Sequence, residues 1–198
     1  MRQQLETLLQ GPMTDWEQFE AILQPVSFKA GEHLSAAGKI SSAIYFVETG
    51  IVRVYTVHQE KEISLDFAFP GSFTTSYASF ITQQPSVVNL QAVTPVTGYA
   101  WHYNDLQQLY AVSHDAERTG RLMAEQQYLR KYNRELSFLR CSAQERYQQL
   151  LQEHPEVVQH IPVKKIASYL GIQPESLSRI RRNRPPCIMF SRAVGSGF

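Results

Sequence analysis

Glu175, Ser178 and Arg179, with Ser176, Arg181 and Arg182 beside them, bring a carboxylate, two hydroxyls and three guanidinium groups into eight residues. Such a set accepts and donates hydrogen bonds at base edges and phosphate oxygens, so its chemistry is that of nucleic-acid contact. It needs a rigid element to present it. The stretch Ile161 to Arg182, IPVKKIASYLGIQPESLSRIRR, supplies one: Val163, Ile166, Ala167 and Leu170 fall at helical spacing, Gly171 provides a turn, and Ile172, Leu177 and Ile180 give a second segment an inward face. Pro174 suits a first helical turn and Glu175 complements its positive end, so the second helix should begin near Gln173. The segment reads as a helix-turn-helix. An ordinary helical hairpin with a solvated basic face has the same pattern.

Charge is distributed accordingly. Residues 1–139 hold 10 Lys/Arg and 14 Asp/Glu, net −4, whereas residues 140–198 hold 9 and 4, net +5. A small basic unit that meets phosphate, attached to a larger unit with another task, is the expected organisation. The units are placed at 1–140 and 141–198.

Other chemistries lack their residues. There is no His-x-His pair for a metal-dependent β-roll enzyme, and no Ser/His/Asp set, P-loop or nucleotide fingerprint stands out. No catalytic residue, metal ligand or cofactor is assigned, and a non-enzymatic function is expected. Cys141 and Cys187 stand far apart, which implies neither a disulfide framework nor a thiolate metal cluster. MRQQLETLLQ has no signal-type apolar run, and no stretch approaches the roughly 18 apolar residues of a membrane span. A cytoplasmic protein without a membrane partner is expected.

The elements that carry the basic unit can be read in order. Residues 1–10 form one helix, and Thr14 and Glu17 suggest a capping box for a second that runs through Phe19 to Pro25. From Val26 to His102, short β-branched and aromatic runs are punctuated by Gly31, Gly38, Gly50, Gly71 and Gly98, which predicts roughly eight strands in an antiparallel sandwich or barrel. One short helix is expected between Gly71 and Pro85, and another after Asn104. A long helix follows over about 115–140, where Leu122, Leu129 and Leu136 repeat at seven with Tyr132 and Leu139 in the same seam. That stripe predicts a homodimer, although packing on the chain's own sandwich yields the same period. Ser142 and Glu145 form a second capping box, leaving a joint of one or two residues around Cys141. The class is α+β: an antiparallel β-roll with flanking helices, a long dimerisation helix and a helix-turn-helix.

In this order the chain resembles, over about residues 10–182, the Crp/Fnr family of bacterial transcription regulators. The marks are Lys29-Ala30-Gly31-Glu32, the stretch Tyr45-Phe46-Val47-Glu48-Thr49-Gly50-Ile51-Val52-Arg53 read as a central strand, Pro70-Gly71-Ser72-Phe73, and Glu175-x-x-Ser178-Arg179. The resemblance implies a β-roll of the double-stranded β-helix type, pairing of two subunits along the long helix, and double-stranded DNA as partner, with RNA polymerase a further one. The last motif is similar to that of the fumarate-nitrate regulator, which implies palindromic sites with TTGAT-like halves. Arg179 would take guanine O6 and N7, Glu175 would accept from a cytosine amino group, and Ser178 would add a lesser contact. Lys164, Lys165, Ser176, Arg181 and Arg182 are assigned to phosphates.

Departures from the family pattern concern the effector. Where cyclic-nucleotide-binding members carry Gly-Glu and Arg-Ser pairs, ungapped counting from Gly71 finds Thr75-Ser76 and Ser86-Val87. A cyclic phosphate would lose its charge-assisted partner, so cAMP and cGMP are not expected ligands. No cysteine precedes Cys141, which removes an N-terminal iron-sulfur cluster. His33, His58 and His102 are candidate haem ligands by type alone, and an edge or core histidine is the favoured reading of each. The effector, of unknown identity, would meet Thr75, Ser76, Tyr77 and Ser86, with Arg53, Tyr128 and Tyr132 at the wall; a vestigial pocket filled by side chains is the alternative. Pro185-Pro186 should end the last helix by Asn183, with Cys187 to Phe190 as a strand or plug. A competing reading is a degenerate sensor that dimerises and acts on a protein partner without reading DNA.

Overall fold

The computed structural model describes residues 1–182, so the expected helix stop at Asn183 and the Cys187–Phe190 segment lie outside the described residues. Helices α1 (Arg2–Leu9) and α2 (Trp16–Ala21) come first. Eight strands follow: β1 (Gln24–Phe28), β2 (His33–Ser35), β3 (Ala43–Thr49), β4 (Val52–His58), β5 (Lys61–Ala68), β6 (Phe73–Thr74), β7 (Asn89–Ala92) and β8 (Val96–His102). The short α3 (Tyr77–Thr82) sits between β6 and β7. Then come α4 (Tyr103–Val112), α5 (His114–Arg140), α6 (Ala143–Glu153), α7 (Val157–His160), α8 (Val163–Leu170) and α9 (Pro174–Arg182).

All strand pairs are antiparallel, in two four-stranded sheets ordered β1-β8-β3-β6 and β2-β7-β4-β5. Between them lie Leu34, Val47, Val52, Val54, Ala68, Leu90, Ala92 and Val96, the apolar side chains that alternation turns inward. The chain is α+β with an antiparallel β-roll, as its Gly-punctuated pattern predicts. One detail differs. The stretch Tyr45–Arg53 is two strands, β3 and β4, broken at Gly50, where φ is +83° and a Cβ would lie 2.1 Å from the Pro95 carbonyl oxygen. Only glycine fits that approach.

The outer face of the first sheet is covered by helices. Leu5, Leu9, Phe19, Leu106, Leu109 and Ala116 meet Phe46 and Trp101 in a second core. The expected Thr14–Glu17 capping box is absent: Thr14 donates both its N–H and its hydroxyl to the Asp115 carboxylate, and α2 begins without a side-chain cap. A tertiary partner has displaced the local one. The second box does form, with the Ser142 hydroxyl accepting the Glu145 N–H and the Glu145 carboxylate accepting the Ser142 N–H. Helix α7 was not predicted, because one turn is too short to carry a periodicity.

A third core crosses from the roll to the helix-turn-helix. Ile51, Phe67 and Phe69 pack with Tyr147, Leu150, Ile161, Ile166, Leu170 and Leu177. The His154 ring stacks on Phe69 at 3.7 Å between centroids. The basic unit is therefore seated on the β5 side of the roll.

Candidate nucleic-acid interface and roll cavity

Helix α8 ends at Gly171, whose φ of +69° supplies the left-handed residue that helix C-termini favour. The turn is closed by the Ile172 N–H donating to the Ala167 carbonyl at 3.0 Å. Pro174 opens α9, and Leu177, fully buried, ties it to Ile166 and Leu170 of α8. With that face anchored, Glu175, Ser178, Arg179 and Arg182 follow at i, i+3, i+4 and i+7 on one outer face. Glu175, Arg179 and Arg182 are exposed, whereas Ser176, Ser178 and Arg181 are half-buried. The Ser178 hydroxyl donates to the Pro174 carbonyl at 3.0 Å, which leaves its lone pairs for an incoming donor.

The two lysines of α8 part company. Lys164 is exposed, but Lys165 is half-buried against β5, where its carbonyl accepts from the Ser64 hydroxyl at 3.1 Å. Burial first, and the Arg53 charge second, depress the pKa of its ammonium group, with Glu62 acting in the opposite direction. Lys165 is thus less open to a phosphate than Lys164, and its backbone carbonyl is held by the roll. Sequence spacing could not separate the two, because the seat on β5 is a tertiary contact.

Arg53 also moves. It is 1% exposed and lies on the outer side of β4, donating from Nε to the Ser64 hydroxyl at 2.8 Å and from Nη1 to the Glu62 carboxylate at 2.5 Å. Its guanidinium covers the Tyr55 ring at 4.4 Å, and its hydrogen bond holds the Glu62 carboxyl below the usual range. Arg53 is thus no part of the effector wall but a buried charge at the seam with the helix-turn-helix.

The cavity of the roll encloses about 480 Å³ between β4, β5, the β6–α3 segment and α5. Val54, Leu65, Ala68, Phe73 and Val88 make an apolar floor, with Thr75, Ser76, Tyr77 and Tyr128 around it. Tyr132 and Ser86 do not line it. Tyr132 stacks on Tyr128 with ring centroids 6.3 Å apart, and Ser86 is buried beneath, its hydroxyl 2.8 Å from that of Ser76. Thr75 donates to the Ala43 carbonyl at 2.8 Å, so its hydroxyl is already engaged. The cations at the cavity are Arg130 and Lys131 of α5, and both face Asp66, at 2.7 and 3.5 Å. His33 and His102 contact Tyr55 and Gln24, at 3.0 Å each, rather than the cavity.

Along α5 the apolar stripe divides. Leu122 and Met123 pack against the chain's own second core, while Tyr128, Leu129, Tyr132 and Leu139 are exposed, Leu139 at 77%. Four large apolar side chains in water on one helix form an unpartnered surface.

A β-roll closed by a long helix and followed by a helix-turn-helix with a basic outer face defines the class of architecture built by Crp/Fnr transcription regulators. Residues 25–113 match the cyclic nucleotide-binding domain family. Among solved structures, FixK2 from Bradyrhizobium japonicum is similar at 18% identity over 81% of this chain and 83% of that one, with a TM-score of 0.71. A crp/fnr-family regulator from Eubacterium rectale gives 17% over 85% of each chain and 0.68. The c-di-GMP responsive regulator CLP from Xanthomonas campestris gives 20% over 84% and 88%, with 0.66. No curated protein sequence matches. The chain has the Crp/Fnr fold, with a cyclic nucleotide-binding-type domain as its roll. Among the described residues no helix is long and apolar enough to cross a membrane.

Proposed function

We propose that the protein is a homodimeric, sequence-specific DNA-binding transcription regulator. What carries this reading is the face of α9, where Glu175, Ser178, Arg179 and Arg182 stand on one side of a helix whose other side is locked by Leu177. Pairing along the exposed stripe of α5 gives the dimer a two-fold axis, and two recognition helices about one helical turn apart require a palindrome. The Glu175-x-x-Ser178-Arg179 pattern supports TTGAT-like half-sites. In the half-site Arg179 takes guanine O6 and N7, Glu175 takes a cytosine amino group, and Ser178 accepts from a further base or phosphate. Lys164, Arg181 and Arg182 hold phosphates, with the less exposed Lys165 and Ser176 as further contacts. Occupancy of the roll biases the pitch of the two α5 helices and hence the spacing of the recognition helices.

The test is a gel-shift series on matched and single-base-substituted duplexes. Arg179→Ala should cost about 1–3 kcal/mol on the matched site and flatten preference at one base pair, whereas Lys164→Ala should weaken every duplex alike. Equal losses for Arg179→Ala on specific and random DNA would remove the base-reading role.

The effector is not a cyclic nucleotide in this reading. Arg130 and Lys131 are held by Asp66, and the hydroxyls of Thr75 and Ser86 are spent inside the protein. A phosphate in the cavity would have to compete with Asp66 for Arg130 and Lys131, and no other described cation lines the wall, which penalises its burial. Titration calorimetry with cAMP and with cGMP should give no binding in the micromolar range; micromolar affinity for either contradicts the reading.

A further inference from the structure

The pairing of β4 with β5 contains an irregularity that no sequence pattern announces. Val54 stands opposite Asp66 and Tyr55 opposite Ser64, so Leu65 is an extra residue, a β-bulge that breaks the alternation of the strand. Each of the three residues around the bulge holds a different part of the molecule. The Ser64 N–H donates to the Ser168 hydroxyl at 2.9 Å and the Ser64 hydroxyl donates to the Lys165 carbonyl at 3.1 Å, so Ser64 grips α8. Leu65 lines the roll cavity. Asp66 accepts from Arg130 at 2.7 Å, and Arg130 also donates to the Phe67 carbonyl at 2.9 Å, so Asp66 grips α5.

We propose that the Ser64-Leu65-Asp66 bulge is the joint through which the cavity positions the DNA-reading unit, with Ser64 and Asp66 as its positioning residues. Bulges bend and twist the strand that bears them, and a bend at Leu65 displaces the anchors on both sides of it. Helix α8 responds because β5 holds it beside the bulge at the Lys165 carbonyl and at Ser168, whose hydroxyl also donates to the Glu62 carbonyl at 3.3 Å. From the other side Arg134 of α5 donates to the Tyr169 carbonyl at 2.8 Å, so α8 is gripped by both elements that the bulge touches. Movement of α8 carries α9 with it through their shared core. The cavity therefore has a direct route to the recognition helix through β5, besides the indirect one along α5. The consequence for DNA rests on the function proposed above; the mechanical coupling does not.

The test reads the coupling without DNA, by amide hydrogen exchange of the full-length protein followed by mass spectrometry. Leu65→Ala removes cavity wall at the bulge, and Leu65→Met is a volume-conserving companion should the first variant destabilise the roll. Both are made in the native background, with Ser168→Ala and with Ser168→Thr. Expected is a change of roughly tenfold in exchange of residues 163–170 on substituting Leu65, with β3 and β8 unaltered, since opening one unit need not open the rest. In the Ser168→Ala background the same substitution should change α8 by less than about twofold, and Ser168→Thr should restore the response, because the hydroxyl that accepts from the Ser64 N–H and donates to the Glu62 carbonyl is the link removed. A Leu65 effect on α8 of equal size with and without the Ser168 hydroxyl overturns the proposal, as does no effect on α8 in the native background. Failure to prefer a palindrome would instead overturn the DNA-reading function and leave this coupling to stand or fall by exchange.

Discussion

Replacing Leu177 by Ala is expected to lower the unfolding free energy by about 2–5 kcal/mol, the range for deleting a fully buried Leu side chain whose cavity does not collapse. Leu177 has no exposed surface and is the one fully buried side chain of α9. It belongs to the core that also holds Ile166 and Leu170 of α8 and Phe67 and Phe69 of the roll, so the void opens in packing that the two units share. Against a total of about 5–15 kcal/mol for a typical domain, such a loss is a large fraction of the stability. Urea titration should show the midpoint falling with little change of slope. A loss below about 1 kcal/mol would mean that α9 is not anchored through this residue.

Leu129→Glu combined with Leu139→Glu is expected to abolish dimerisation at micromolar concentration. Both side chains are exposed, at 54% and 77%, on the same seam as Tyr132. Covering a fully exposed Leu is worth about 1.5–3 kcal/mol, so the four partly exposed Leu side chains that a homodimer loses account for roughly a 10³–10⁶-fold change in the dimer constant before any cost of burying a carboxylate is added. Sedimentation velocity on the full chain checks this, with circular dichroism to verify that the roll persists. A variant that still sediments as the dimer at low micromolar concentration would place the subunit contact elsewhere. Leu122 is the poorer choice for this test, since it packs against the chain's own second core.

Much of the architecture was legible because it rests on local rules. Glycine punctuation marked the strands, the spacing of Ile166, Leu170 and Leu177 marked the helix-turn-helix, and the Ser142–Glu145 cap marked the joint. The misreadings share one cause: a side chain taken by a distant partner. Thr14 serves Asp115 instead of its own helix, and Arg53 faces Glu62 and Ser64 at the seam instead of the cavity. No periodicity encodes such choices. The Leu65 bulge was equally silent, since one extra residue in a strand of ordinary composition leaves no signal in spacing. For the cavity, the sequence yielded the β6–α3 residues Thr75, Ser76 and Tyr77 but neither the apolar floor nor the Asp66–Arg130 clasp, which depends on how β5 meets α5.

The most direct test of the central claim is equilibrium binding, by fluorescence anisotropy, of the full-length protein to a TTGAT-type palindrome and to a scrambled duplex at two salt concentrations. The account predicts tighter binding to the palindrome by about 10³-fold at physiological salt, with both affinities falling as salt rises because phosphate contacts release counterions. Equal affinity for the two duplexes at both salt concentrations would contradict it.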